Sequence, residues 1–289
     1  MEKCLVTGAT GKLGSFFIKR FSRDYEVTAG YIENPEIIPQ NIKKTVIDLS
    51  DERLMRANIE SAMPGFIVHC AAIKDVPYCE SNPEKAREVN VEGTKKLAKI
   101  CKDLKILMVY LSTDYIFEGT TGWYKENDKP NPKTYYGKTK FEAEKVVQEL
   151  LSDYIIFRTG GAYGFNGDFI DFVINTVSKG EKLEAFTNIY NTPVYLSDLA
   201  ENMLKIIKKG LKKTIIHIAG ADRVSRFDFA SKITEKFGLD KNLIIPVEYK
   251  TGSENFKRPF DCSLSSQYAR EKLEIKCMGI DESLYDIKG

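Results

Sequence analysis

The sequence predicts an α/β fold: a doubly wound parallel sheet of the Rossmann type, with a smaller substrate lobe interleaved at the carboxyl edge of the sheet. Three observations predict it. Short apolar runs recur along the chain, helix-period segments lie between them, and a glycine-rich loop joins the first run to the first helix.

The runs are Lys3–Thr7, Tyr25–Ala29, Thr45–Ile47, Phe66–Cys70, Ile106–Leu111, Tyr154–Phe157 and Thr214–Ile218. They are rich in Val and Ile and do not alternate with polar residues. That pattern suits strands buried on both faces. Leu13, Phe16, Phe17 and Phe21 form one apolar stripe of a first helix. Asn82-Pro83-Glu84 reads as a helix start, with a capping Asn, Pro at the first helical position and an acid near the positive dipole end. Residues 1–160, with returns near 185–220, are expected to bind a dinucleotide. Residues 161–184 and 221–289 are expected to form most of the lobe, with helices at Phe169–Lys179 and Arg226–Phe237 and a strand at Leu243–Val247.

Composition narrows the function. With 289 residues the chain suits one large α/β domain, or a domain plus a lobe. Lys+Arg is 43 and Asp+Glu is 41, so no general attraction for nucleic acid or an anionic membrane is expected. The basic stretch Lys205–Lys213 reads as the solvated end of a helix. Two distant histidines, His69 and His217, argue against a His-based zinc site and against a Ser-His-Asp triad. Six cysteines without a CxxC pair read as reduced thiols, and no run approaches the ~20 apolar residues of a membrane helix. The opening MEKCLVTGATG enters a strand at once, which argues against a signal peptide. A cytoplasmic location is expected.

The loop Thr7-Gly8-Ala9-Thr10-Gly11-Lys12-Leu13-Gly14 spaces its glycines G-x-x-G-x-x-G. A pyrophosphate approaching backbone N–H groups at a helix N-terminus needs such small residues. Gly161, Gly164 and Gly167 repeat the spacing but lack the βαβ unit that should follow, so context selects the first loop. Glu33 is the nearest acid after the second strand, and no Arg stands there for a 2′-phosphate, which leaves NADP and NAD both open. Asp48 reads equally as a partner for the adenine amino group and as a polar strand end.

Tyr136 and Lys140 stand four apart at the head of a helix and so share a face. A cation beside a phenol favours phenolate, and such a Tyr can exchange a proton with a carbonyl oxygen as hydride moves. Tyr268 and Lys272 have the same spacing. Order breaks the tie, because Ser112-Thr113-Asp114 ends the fifth strand upstream of Tyr136 and offers a hydroxyl to the same oxygen.

With these pieces in place, the sequence resembles the extended short-chain dehydrogenase/reductases and, more narrowly, the dTDP-4-dehydrorhamnose reductase family. The segments carrying the resemblance include TGATGKLG (7–14), HCAAIKDVPYCESNPE (69–84), LSTDYIFEG (111–119), YGKTKFEAE (136–144), RTGGAYG (158–164), NTPVYLSDLAE (191–201) and RPFDCSL (258–264). The resemblance implies reduction of a nucleotide-linked 4-keto sugar with NADPH or NADH, leaning slightly to NADPH. It implies Thr113, Tyr136 and Lys140 as catalytic. It implies Gly8, Thr10, Gly11, Lys12, Leu13, Gly14, Asp48, Leu49, Ala71 and Ala72 as cofactor-lining, with Tyr136 and Lys140 also touching the nicotinamide ribose. A homodimer is also expected, paired through the helices Pro83–Leu104 and Tyr136–Leu151. Their apolar residues Leu97, Ile100, Val146 and Val147 exceed one stripe; the bland alternative is that these face the sheet.

Three positions depart from the family pattern. Gly161 replaces a tryptophan, Pro77 an acid and Cys262 an asparagine. All lie toward the substrate side and point to a keto sugar other than the rhamnose precursor. Sugar-nucleotide epimerases match less well, and a dehydratase would carry Asp-Glu where this chain has Asp114-Tyr115. A third reading is a cofactor-binding regulatory subunit like the beta subunit of methionine adenosyltransferase.

Overall fold

The computed structural model describes residues 1–164, 167–252 and 258–288. All seven predicted runs enter one parallel sheet. Its first six strands are β1 (Lys3–Thr7), β2 (Glu26–Tyr31), β3 (Lys43–Val46), β4 (Phe66–His69), β5 (Leu107–Thr113) and β6 (Tyr154–Thr159), and the seventh is Thr214–His217. From one edge the order is Thr214–His217, β6, β5, β4, β1, β2, β3. The chain reverses direction across the sheet between β1 and β4, and the crevice beyond their carboxyl ends is where such sheets bind ligands.

The unbroken apolar runs have their predicted cause. Cys4, Val6, Val68, Val109, Leu111, Ile155 and Phe157 enter one core layer. Leu5, Ile67, Met108, Tyr110 and Ile156 enter the layer on the opposite face. β1, β4, β5 and β6 therefore lose both faces from water, and both must be apolar, whereas the edge strand β3 keeps Lys43 and Lys44 exposed.

Strand ends are the main discrepancy. β3 begins at Lys43, earlier than expected, and Ile47 lies beyond it although its N–H still bonds to Tyr31. The parallel ladder with β2 fixes that span; apolar content does not. The expected Asn82 cap is corrected. The Asn82 side chain donates to the Tyr78 carbonyl at 3.1 Å, and its N–H does the same at 2.8 Å. Asn82 closes the short helix Val76–Ser81 as it opens the next, and its amide is spent on the first task. The helix from Pro83 to Leu104 also carries a π-helical stretch at Glu88–Gly93, which the sequence did not signal.

Leu97, Ile100 and Val147 are fully buried in the core layer beneath the sheet, so the sheet uses them; Val146 is half-buried. In the lobe, the helices Phe169–Val177 and Arg226–Phe237 pack with the parallel pair Leu183–Phe186 and Ile244–Val247 around Tyr163, Val173, Phe229 and Ile233. Among the described residues, no helix is long and apolar enough to cross a membrane.

Candidate active site

The glycine loop closes tightly on itself. Gly8 has φ +64, and a side chain there would begin 2.9 Å from the Ala71 backbone. At Gly14 a side chain would strike the Gly8 carbonyl group. Gly11 differs. It caps helix α1 (Lys12–Phe21), its N–H bonds to the Gly8 carbonyl at 2.9 Å, and it is exposed. No acid stands in the first turn of α1, so the positive end of the helix dipole is left uncompensated. A cradle closed behind by Gly8, Gly14 and Ala71, and open in front at Gly11, fits a pyrophosphate.

Around this cradle the other cofactor candidates separate. Thr10 and Leu13 are half-buried, and Lys12 is exposed with its Nζ donating to the Gly167 carbonyl at 2.6 Å. Ala71 and Ala72 are half-buried beyond β4, and the Ala71 N–H donates to Thr7 Oγ1 at 3.2 Å. Asp48 Oδ1 accepts from the Ser50 N–H and hydroxyl at 2.8 and 2.7 Å, which hold the carboxyl below its ordinary range. Leu49 is buried against Gly93 and supports the wall from behind.

The second glycine match folds differently. The Asp168 carboxylate caps the helix Phe169–Val177, accepting from the N–H groups of Ile170 and Asp171, and it also takes the Gly164 N–H. An acid fills the place a phosphate would need.

The structure brings Thr113, Tyr136 and Lys140 together. Thr113 ends β5, and Tyr136 stands in the first turn of the helix Tyr135–Leu150, which Thr134 caps by accepting from the Gly137 N–H. Gly137 permits this close approach, because a side chain there would strike the Tyr115 carbonyl. The Tyr136 phenol is hydrogen-bonded to Thr113. Lys140 is buried, donates to the Leu111 carbonyl at 2.7 Å and lies 4.1 Å over the Tyr110 ring.

One expectation is corrected here. Burial pushes the Tyr136 phenol well above its ordinary value, and Thr113 offsets this only in part. Burial outweighs any help from Lys140, whose ammonium is turned to the Leu111 carbonyl and is itself lowered to about 8 by burial, with Glu144 opposing.

Sequence reasoning undervalued three groups. Asp114 is buried, accepts from the Thr113 hydroxyl at 2.9 Å, and is raised by burial to about 7. Its place inside Thr113-Asp114-Tyr115 was the available signal. Arg158, on β6, and Glu144, on the helix Tyr135–Leu150, form a buried ion pair at 2.8 Å. Only an Arg at a strand end hinted at it. Arg226 had no signal. His69 and His217 are buried and pushed down to about 3, chiefly by desolvation, so both are neutral. His69 bonds to Thr7 and Thr94 at 2.7 and 3.0 Å and serves as a core brace. Tyr268 is exposed, on a short helix far along the chain. Tyr268 and Lys272 line a cavity of about 390 Å³ at the Thr214–Ile215 sheet edge, with Lys125, and none of Thr113, Tyr136 and Lys140 lines it.

Comparison with known proteins gives the family. The family model described as RmlD substrate binding domain matches residues 2–287. The chain belongs to this family. It is 33% identical over 248 residues to a probable low-salt glycan biosynthesis reductase, Agl14, of Haloferax volcanii, covering 83% of this chain and 81% of that relative. It is 27% identical to the methionine adenosyltransferase 2 subunit beta of Xenopus laevis, covering 85% and 75%. A solved dTDP-4-dehydrorhamnose reductase of Bacillus anthracis in complex with NADP superposes with a TM-score of 0.86 at 26% identity, covering 99% of this chain and 98% of the other.

Proposed function

We propose that the protein reduces the 4-keto group of a nucleotide-linked sugar, using NADPH or NADH, with Tyr136 as proton donor. The observation that carries this is the convergence of Thr113, Tyr136 and Lys140 at the carboxyl end of β5, beside a cradle suited to a dinucleotide. The family's reductases support it. The cofactor would be held by Gly8, Gly11 and Gly14, with Tyr136 and Lys140 toward its nicotinamide end, and when bound it supplies hydride.

The rest falls to this chain's own groups. The Thr113 hydroxyl turns from Asp114 to the keto oxygen and fixes it. As the carbonyl carbon gains hydride, the oxygen takes the Tyr136 proton. A buried phenol resists leaving a phenolate behind, so a cation nearby helps, and Lys140 stands one helical turn from Tyr136. Gly161 leaves a roomy wall, since a side chain there would meet only the Asn191 amide at 3.4 Å. That supports a keto sugar other than dTDP-4-dehydrorhamnose. The protein is expected to work in the cytoplasm. A homodimer is part of the proposal on family grounds, and a monomeric mass by light scattering would refute it.

The test is a panel of keto-sugar nucleotides with each cofactor, followed by nicotinamide absorbance. Tyr136→Phe should keep cofactor affinity and lose turnover by about 10²–10⁴. Undiminished turnover would remove Tyr136 from the role. The likeness to the frog subunit favours one other reading, a regulatory subunit. Tight cofactor binding without turnover on any keto sugar, together with co-purification with a synthetase, would favour it.

A further inference from the structure

Beyond the catalytic trio, the cleft wall leads to an arginine with an unusual environment. Val224 and Ser225 pair with Asn191 and Tyr190. The Asn191 amide is the nearest group to the position of a Gly161 side chain, whereas a Gly160 side chain would strike the Thr192 carbonyl and begin 3.7 Å from Asp114 Oδ2. Arg226 follows Ser225 directly. It therefore emerges beside the wall that Gly161 leaves low, near enough to Asp114 for its charge to act.

Its neighbour Arg223 is fully engaged, ion-paired with Asp261 at 2.7 Å and stacked 3.8 Å over Tyr190. Arg226 is not. Its guanidinium lies 4.8 Å over the Phe169 ring and, among the described residues, makes no hydrogen bond or ion pair. It sits near enough to Asp114, Tyr115 and Arg258 for their charges to act on it, Arg258 unfavourably. Asp114 is a poor counter-ion, being largely engaged with Thr113 and partly protonated near neutral pH. Tyr115 in turn packs edge-on to Tyr136, with ring centres 6.1 Å apart. A half-buried guanidinium with its donors unused is unfavourable until an anion arrives. Stacking on Phe169 holds its plane and leaves the edge N–H groups free for two-point contact with an oxyanion.

We propose that Arg226 binds an oxyanion of the substrate at the reacting end of the cleft. This rests on the reductase reading above, and it makes Arg226 a specificity-determining residue. The anion belongs either to the diphosphate of a nucleotide sugar or to a carboxylate on the sugar.

Calorimetric titration of the full-length protein, saturated with NADPH, tests it with three probes: uridine diphosphate, UDP-glucose and UDP-glucuronate. Arg226→Gln should weaken binding about 10- to 100-fold, the range for a lost hydrogen bond to a charged group, and leave NADPH affinity and melting temperature unchanged. Arg226→Lys should recover part of the loss. Equal weakening for all three probes supports the diphosphate source. Weakening confined to UDP-glucuronate supports the sugar carboxylate. Unchanged affinity for every probe in Arg226→Gln overturns the proposal, as does a wild-type protein that binds none of them. Failure of the reductase reading shows separately, as absence of keto-sugar turnover by a wild-type protein that still binds the probes through Arg226.

Discussion

Replacing two glycines of the first loop should separate cofactor binding from packing. Gly14 is helical, so Gly14→Ala in an open helix would stabilise by about 0.8–1 kcal/mol. Here the added carbon would clash with the Gly8 carbonyl oxygen and lie 2.8 Å from its carbon and 2.9 Å from Ala9 Cα. Relaxed carbon contacts need roughly 3.5–4.0 Å, and all three obstacles are backbone. Forced overpacking costs about 1–3 kcal/mol, which offsets the helix gain and more. The expected net loss is up to about 2 kcal/mol, or a melting temperature lower by up to roughly 3 °C in a chain of this size. The loop must also move, so NADPH affinity falls with it. Gly11→Leu is the contrast. Gly11 has φ −75, which any residue adopts, and its α-carbon is exposed, with only the Gly8 oxygen at 3.2 Å from an added carbon. Its stability should change by no more than about 0.5 kcal/mol. Yet its side chain would stand over the helix N-terminus, so NADPH binding should be lost. Fluorescence titration with NADPH, beside thermal unfolding without it, reads both quantities. Wild-type affinity in Gly11→Leu would refute the cradle, and a Gly14→Ala protein more stable than wild type would refute the packing argument.

Two further outcomes concern buried charge. Asp114 is raised by burial from 3.8 to about 7, so across that window the folded protein keeps a proton the unfolded chain has lost, and stability falls as pH rises. Asp114→Asn stays neutral, and its melting temperature should gain on wild type between about pH 4 and pH 7; a pH-independent difference would contradict this. Arg158→Met should cost about 3–5 kcal/mol, because Glu144 is left buried without its partner, while Arg158→Met with Glu144→Leu should recover most of the loss. Denaturant midpoints measure both, and a single variant within about 1 kcal/mol of wild type would show that Glu144 finds another partner.

The sequence by itself determined the sheet, the tight turn of the glycine loop and the placing of Tyr136 and Lys140 on one helix face after Thr113. These depend on local rules: a strand buried on both faces must be apolar throughout, a tight phosphate turn excludes side chains, and residues four apart on a helix share a face. They were legible because each signal lies within a few residues of its neighbours. Tertiary structure alone decided how the charges behave. Arg158 and Glu144 meet across β6 and the helix Tyr135–Leu150. Arg226 comes near enough to Asp114 for its charge to act, carried there by the strand pair that joins residues 190–191 to 224–225. Lys140 turns to the Leu111 carbonyl, and burial is the largest influence on the Tyr136 phenol. The cost of a buried charge depends on everything packed around it, and those groups come from distant stretches of chain that no spacing in the sequence records.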